Sequence, residues 1–197
     1  MHGCRALNVA EALVPAKPVV GFTLIEVLVA ILVLAIGVLG AARAQLAALQ
    51  TRQATGLTST AVQLAGSLAD RMRANPEQSR GGAPNAYLQL DYDADGGAPA
   101  PPAAMCFAGA DCNSAQMAAF DVYEISQALH AGFPGGRVLV CRDAGVVAQG
   151  GSALAWPCAG SPNAPIVIKL GWRNKGIESG AEAQFAPAVA IVAGASS

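Results

Sequence analysis

The chain contains 197 residues, with 12 Lys and Arg against 13 Asp and Glu, and its formal net charge is −1. This balance excludes the strongly basic class of nucleic-acid-binding proteins, so no nucleic-acid partner is expected. The composition is 53% hydrophobic but only 5% aromatic. These values predict one soluble domain of ordinary size, with a core of small side chains, beside a long apolar segment.

The first predicted element is an apolar helix from Phe22 to Ala42. This run of 21 residues is long enough to cross a bilayer, which takes about 20. Glu26 is its single charged residue, and an unpaired carboxylate there costs about 3 kcal/mol or more. If the chain were cut after Gly21, the new α-amino group of Phe22 would lie about one helical turn from Glu26 and could neutralise it. A plain anchor leaves the carboxylate unexplained, and a secretory signal would have a shorter apolar region.

The segment Gly21–Glu26, with the sequence Gly-Phe-Thr-Leu-Ile-Glu ahead of an apolar helix, resembles the start of type IV pilin and pseudopilin precursors. The resemblance implies that residues 1–21 are a leader peptide, which a prepilin peptidase would remove by cutting between Gly21 and Phe22. Phe22 would then be N-methylated. The residues that the resemblance assigns to assembly are Phe22, Thr23 and Glu26. It also implies an α+β fold, in which a long amino-terminal helix packs on a small antiparallel sheet.

The apolar run continues into an amphipathic segment, residues 43–75. Its apolar positions, which recur at mostly three- and four-residue steps, are Leu46, Leu49, Leu57, Ala61, Leu64, Leu68 and Met72. The pattern predicts one helix from Phe22 to Asn75, about 80 Å long, which Pro76 ends. Residues 22–42 would cross the membrane, and residues 43–75 would pack under the soluble domain.

Two glycines and a basic cluster stand out along this helix. Gly37 and Gly40 are predicted to be its weakest points, and as small residues they could help helices pack together. Near the carboxyl end, the cluster of Arg71, Arg73 and Arg80 is interpreted as a solvated helix end rather than a phosphate-binding site.

Residues 76–197 are predicted to form a soluble α+β domain. It begins with a stretch rich in Pro and Gly, in which Tyr87–Leu90 is a candidate short strand. A helix is predicted at Ser114–Ala131, because Asn113 and Gln116 have the spacing of a capping box. The predicted strands are Arg137–Arg142, Ile166–Trp172 and a final one within Gln184–Ala193. Turns and hairpins between neighbouring strands make the sheet antiparallel.

One acidic segment, Asp91–Gly96, resembles the opening of a calcium loop. It has carboxylates at alternate positions, Asp91, Asp93 and Asp95, and a Gly where the loop must turn sharply. The twelfth position is Pro102, however, instead of the bidentate Glu. Calcium binding and a solvated acidic turn are the two interpretations.

The cysteines predict disulfides. Of the five present, Cys4 would leave with the leader. The remaining cysteines are Cys106, Cys112, Cys141 and Cys158. An even number in an exported domain indicates disulfides, and four cysteines allow three pairings. Cys106–Cys112 with Cys141–Cys158 is favoured because both bridges close short loops.

Neither a metal, a cofactor nor an enzymatic activity is predicted. Zinc is the alternative to disulfides, but the sequence has no Cys-x-x-Cys motif, and the single histidine after the leader is His130. With one histidine, spacing proposes no nucleophile–base pair, and there is no Gly-rich phosphate loop.

Three further stretches resemble the minor pilins called type IV pilus modification proteins, of the PilV type. They are Ile31–Gly40, Gln50–Ala54 and Leu68–Asn75, and the two strands predicted at 137–142 and 166–172 fit the same family. The resemblance implies a low-abundance subunit that helps start pilus assembly with other minor pilins and the major pilin, at an inner-membrane assembly platform. It would support twitching motility or adhesion. Glu26 would select the register by pairing with the α-amine of a neighbouring Phe22.

The resemblance also implies a location. The leader would be cytoplasmic and the helix would cross the inner membrane once, in contact with its lipid. The carboxy-terminal domain would lie in the periplasm until the subunit enters the pilus at the cell surface. There are two alternatives. One is a minor pseudopilin of a type II secretion system, which would share the amino-terminal helix. The other is a pilus-tip module that binds a surface, DNA or a large adhesin through residues 76–160.

Overall fold

The computed structural model describes residues 21–80, 85–107, 109–147, 151, 153–173 and 186–194. The leader with Cys4 therefore lies almost wholly outside the described residues, as does the side chain of Arg80. The chain divides into two compact units, Met1–Leu49 and Gln50–Ser197. The first unit contributes the beginning of the long helix, and the second contains the soluble domain.

Helix α1 runs from Leu24 to Ala74, 51 residues, and is continuous through Gly37 and Gly40. The sequence predicted its bounds to within two residues at the start and one at the end. At its carboxyl end the Asn75 amide still bonds the carbonyls of Arg71 and Met72. Pro76 then opens a short second helix, α2, Pro76–Arg80. In the described part of the chain, α1 alone is long and apolar enough to cross a membrane, and its apolar window is entirely exposed.

The later part of α1 buries one face. The buried residues are Ala61, Ala65, Leu68, Ala69 and Met72. The predicted apolar stripe is therefore fully buried from Ala61, and the half-buried Leu57 also packs against the core, whereas Leu46 and Leu49 are exposed. Alanines at three of these positions let the neighbouring elements approach the helix closely. Leu68 and Met72 supply most of the apolar area, and full burial of such a side chain stabilises a fold by about 1.5–3 kcal/mol.

Four antiparallel strands form one sheet in the order β1-β2-β3-β4. The strands are β1, Asp91–Asp93; β2, Arg137–Arg142; β3, Ile166–Gly171; and β4, Val189–Gly194. Strand β2 has the predicted bounds, and β3 ends one residue before the predicted Trp172. Strand β4 overlaps the predicted Gln184–Ala193, of which the first two residues lie outside the described residues. The predicted α+β fold with a small antiparallel sheet is confirmed.

The candidate strand Tyr87–Leu90 is wrong, because this segment is a turn. The side-chain oxygen of Asn85 accepts hydrogen bonds from the backbone amides of Tyr87 at 3.0 Å and Leu88 at 3.4 Å. The backbone carbonyl of Asn85 accepts one from the amide of Gln89 at 3.1 Å. An Asn side chain that bonds the backbone two residues ahead favours a turn over an extended strand. The turn buries Tyr87 completely, and β1 starts directly after it.

Helix α3, Ser114–Gly132, extends one residue beyond its predicted end. Its capping box is present: Asn113 accepts the Gln116 amide at 2.9 Å, and the Gln116 side chain accepts the Asn113 amide at 3.0 Å. The residues that α3 buries are Ala118, Phe120, Asp121, Ile125, Ser126 and Leu129. Of these, Ala118, Ile125 and Leu129 join α1 and the sheet in one core. In that core the β3 residues Ile168 and Leu170 are fully buried. Gly135 has a φ of 52° in the turn that leads into β2. A residue with a side chain would be strained in this backbone conformation.

Candidate processing and assembly site

The chain enters α1 through an exposed, non-helical segment. Gly21, Phe22 and Thr23 precede the first helical residue, and 82% of the Phe22 side chain is exposed. A Cβ at Gly21 would meet no atom within 4 Å. The fold of this chain therefore does not demand glycine at position 21. A requirement for glycine there would come from an enzyme that acts on the Gly21–Phe22 bond.

Thr23 and Glu26 lie together in the first turn of α1. The Thr23 carbonyl accepts the amides of Glu26 at 3.1 Å and Val27 at 3.3 Å, which makes Thr23 the N-cap residue and Glu26 the third helical residue. Thr-x-x-Glu is the sequence pattern of a capping box, so the sequence alone could have predicted that α1 begins directly after Thr23. The structure thus brings the three predicted assembly residues to one helix end, which is exposed.

The position of Glu26 offsets only part of its cost in lipid. A carboxylate at a helix N-terminus gains about 0.3–1 kcal/mol from the helix dipole. An unpaired charge within the bilayer costs about 3 kcal/mol or more. Because the dipole supplies the smaller of these two quantities, Glu26 needs a cationic partner as long as the helix stays in an apolar environment.

The four cysteines of the soluble domain form two disulfides, Cys106–Cys112 and Cys141–Cys158. The first closes a loop that leads directly into the N-cap of α3, and the second joins β2 to the connection before β3. Among the described residues, one group of possible metal ligands lies close together: Cys141, Asp143 and Cys158. Both of its sulfur atoms are bonded to each other, so these cysteines offer no thiolate to a metal.

Comparison with protein families gives two matches that fit this geometry. Residues 21–42 match the prokaryotic N-terminal methylation motif, and residues 44–123 match the family described as type IV pilin Tt1218. The chain is a type IV pilin of the prepilin-type family. Comparison with curated proteins and with solved structures gives no match. The motif of this pilin implies processing by a prepilin peptidase and assembly with other pilins.

A buried ion pair in the pilin domain went unpredicted. Lys169 Nζ lies 2.5 Å from Asp143 Oδ2, and both side chains are fully buried. The Lys169 ammonium also donates to the carbonyls of Ala155, Trp156 and Pro157, at 2.7, 3.3 and 3.0 Å. These bonds attach the connection between β2 and β3 to β3 itself. The sequence feature that could have predicted this pair is the single lysine in an otherwise apolar strand.

The surroundings of Asp143 favour its charged form. Burial by itself would raise the pKa of this carboxyl group. The hydrogen bond from Lys169 and the backbone amides of Gly145 and Ala159, at 3.0 and 3.1 Å, outweigh burial and lower the pKa of Asp143 below its usual value. The Asp143 carboxyl group is therefore ionised near neutral pH.

At the end of α1, Arg71 of the basic cluster contacts side chains of α3. Arg71 bonds Asp121 at 2.8 Å and also bonds Glu124, while 43% of its side chain stays exposed, so the solvated helix end also contacts α3. The Tyr87 hydroxyl donates to the second oxygen of Asp121 at 2.6 Å. Burial, together with this bond to the Asp121 carboxylate, raises the pKa of Tyr87 well above its usual value. The network joins α1, α3 and the turn at Tyr87.

The three carboxylates of the candidate calcium loop bind separate protein groups. Asp91 accepts two hydrogen bonds from Arg137, at 3.1 and 3.0 Å. Asp93 accepts the Asp95 amide at 3.0 Å, and Asp95 pairs with Arg173 at 2.9 Å. Because each carboxylate has its own partner, the geometry favours the acidic-turn interpretation.

Proposed function

We propose that this type IV pilin is a minor pilin of the PilV type, a low-abundance subunit that helps start pilus assembly. A prepilin peptidase cuts it between Gly21 and Phe22, and Phe22 is N-methylated. Residues 22–42 then hold it in the inner membrane, with the carboxy-terminal domain in the periplasm. It subsequently leaves the lipid for the base of a growing pilus, with other minor pilins and the major pilin as neighbours.

The observation that carries the proposal is the arrangement at the start of α1. An exposed Gly21–Phe22 bond precedes a helix whose apolar part contains a single carboxylate in its first turn. Cleavage creates an α-amino group next to that carboxylate. The Glu26 side chain, which its own helix dipole compensates only in part, pairs with the α-amine of a neighbouring Phe22. This pairing removes an unpaired charge from an apolar environment and also fixes the register between helices.

The assignment to minor pilins rests on the stretch that joins helix and domain. The segment Leu68–Asn75 resembles the PilV type, and it contains Leu68 and Met72 in the core and Arg71 in the network with α3. These residues thus have a structural role in the subunit. A pseudopilin of a type II secretion system would have the same amino-terminal helix, so the two are separated by experiment.

The test is deletion of the gene, followed by complementation with the wild-type protein or with Glu26→Gln. Twitching and surface pili are scored beside secretion of exoproteins. Glu77→Gln is the matched control, because Glu77 is an exposed glutamate in α2, outside the motif. The proposal expects loss of pili and twitching with normal secretion. Wild-type protein and Glu77→Gln restore both pili and twitching, whereas Glu26→Gln is cleaved but does not.

Other outcomes contradict the proposal in distinct ways. Loss of secretion with normal pili assigns the protein to a type II secretion system. Normal pili with defective attachment alone assign it to a tip-binding role. Full complementation by Glu26→Gln removes the function given to the carboxylate.

A further inference from the structure

Burial of apolar side chains does little to position Cys158, the second cysteine of the bridge between β2 and the connection that follows it. No residue in the stretch 157–163 is buried, and Cys158 itself is half-buried. Trp156, just before this stretch, is buried. Hydrophobic packing is the main force that fixes most core residues, so other contacts have to fix the chain around this cysteine.

The Lys169–Asp143 ion pair contacts the chain on both sides of Cys158. Before the cysteine, the Lys169 ammonium donates to three consecutive backbone carbonyls, those of Ala155, Trp156 and Pro157. After it, Asp143 Oδ1 accepts the amide of Ala159 at 3.1 Å. The other oxygen of the same carboxylate lies 2.5 Å from Lys169 Nζ. One buried pair therefore holds both flanks of the cysteine.

The same ion pair lies beside Cys141, the first cysteine of the bridge. Asp143 follows Cys141 by two residues, and a carboxylate oxygen of Asp143 and the two sulfur atoms all lie within 4.8 Å of one another. The backbones meet here as well, because the amide of Ala144 donates to the carbonyl of Ala159 at 3.3 Å. The segment that carries Cys158 is therefore docked along the end of the strand that carries Cys141.

The length of the connecting chain does not by itself select this bridge. Four cysteines allow three pairings, and Cys112 is a competing partner for Cys141. Cys158 lies 17 residues from Cys141. Cys112 lies about 30 residues from Cys141 on the other side, and the chance that two points of a flexible chain meet falls only as about the three-halves power of their separation. The nearer partner is thus favoured only about twofold, and the fold has to supply the remaining selectivity.

We propose that the Lys169–Asp143 pair is a template for disulfide formation, which holds Cys158 beside Cys141 while both are still thiols and so selects this pairing. The oxidant is an external disulfide. The thiolate of one cysteine attacks it, forms a mixed disulfide and releases one external thiol. The second cysteine then displaces the other external thiol and closes the bridge. Two electrons and two protons pass from the cysteines to the external disulfide, which ends as two thiols.

Equilibration of the processed full chain, in detergent, with mixtures of reduced and oxidised glutathione tests the template. Alkylation traps the remaining thiols, and peptide mass spectrometry gives the oxidised fraction of each pairing. These fractions give the effective concentration of one cysteine at its partner. The value for Cys141 and Cys158, divided by the value for Cys106 and Cys112 in the same chain, is here called the pairing ratio.

The variant Lys169→Met/Asp143→Leu removes both charges together, so neither is left buried without its partner. Its apolar side chains make no hydrogen bonds to the backbone around Cys158, and the pairing ratio is expected to fall about tenfold or more. Chains with one of the two other pairings should become detectable. Tyr87→Phe is the matched control, since it weakens the domain at the bond to Asp121, and it should leave the pairing ratio unchanged.

The pairing ratio also provides the results that would overturn the proposal. An unchanged ratio in the double variant would mean that Cys158 lies beside Cys141 without the ion pair. An equal fall in Tyr87→Phe would mean that loss of stability, and not loss of position, lowers the ratio. Protection of the α3 amides from hydrogen exchange reports that the reduced domain is folded.

A second variant covers the case in which the double variant does not fold. Asp143→Asn keeps the shape of the side chain and an oxygen for the Ala159 amide, but its amide nitrogen cannot accept the hydrogen bond from Lys169. Its pairing ratio is expected to fall as well. A ratio equal to that of the wild type in folded Asp143→Asn would contradict the template.

Discussion

At the residue scale, Gly21 and Glu26 are explained by different forces. Among the described residues, no atom would lie within 4 Å of a Cβ at Gly21, so packing there does not require glycine. Glu26 gains from the positive end of its helix but remains costly in lipid. The proposed function accounts for both residues, because it begins with cleavage after Gly21 and ends with assembly through Glu26.

Replacing Gly21 by valine separates processing from folding. Gly21→Val is expected to leave uncleaved precursor in the inner membrane. The exposed chain has room for the branched valine side chain, but the peptidase site would have to accommodate it for cleavage to occur. Immunoblotting of membrane fractions distinguishes precursor from product by size. Gly37→Val makes the same change where a Cβ also meets nothing within 4 Å, and it should be processed normally. Normal cleavage of Gly21→Val would contradict the assigned site.

The buried ion pair predicts a large effect from a single truncation. Lys169→Met leaves the Asp143 carboxylate buried without its cation, and such a loss costs about 3–5 kcal/mol. Urea unfolding of the full chain in detergent, followed by tryptophan fluorescence, measures it, since Trp156 and Trp172 are both buried. The double variant Lys169→Met/Asp143→Leu should recover much of the loss. If Lys169→Met costs less than about 1 kcal/mol, the pair does not stabilise the domain.

Acid should weaken the domain partly through Asp143. The pKa of this group is lowered in the folded state, so its contribution is complete above its unfolded pKa of about 4 and is lost as pH falls through the folded value. The difference in unfolding free energy between wild type and Asp143→Asn should therefore shrink as pH drops below about 4. A difference that stays constant from pH 7 to pH 3 would show that folding does not lower the pKa of Asp143.

At the element scale, the local pattern of the sequence accounts for the long segments. The bounds of α1, α3 and β2 follow from apolar periodicity, a capping box and Pro76, all of which act between near neighbours. The turn at Tyr87–Leu90 was missed because one side chain, Asn85, decides between turn and strand. The partners of Lys169 and Arg71 were missed because they lie far away in the sequence, where no periodic pattern connects them.

The network that joins α1, α3 and the turn can be tested at Tyr87. Tyr87→Phe removes a donor from the buried Asp121 carboxylate and is expected to destabilise the domain by about 1–3 kcal/mol. Urea unfolding of the full chain measures the change. Tyr123→Phe is the matched control on α3. Tyr123 is half-buried, and among the described hydrogen bonds its hydroxyl accepts one from the half-buried Gln127 side chain and none from a charged group. Equal effects of the two variants on the free energy of unfolding would mean that the hydrogen bond to Asp121 stabilises the domain no more than the one to Gln127.

At the scale of the whole molecule, the two units of the chain suit different surroundings. The described residues of Met1–Leu49 form an exposed apolar helix whose surroundings must be lipid or other helices. The unit Gln50–Ser197 builds its own core and closes two loops with disulfides, which suits an oxidising compartment. A subunit that moves between membrane and filament needs both parts, and α1 is the element that they share.

The amino terminus of the protein isolated from cells tests the central claim most directly. Intact mass and amino-terminal fragmentation are expected to give a chain that begins at Phe22 and carries one methyl group on its α-amine. A chain that retains residues 1–21, or one that begins beyond Glu26, would contradict the account.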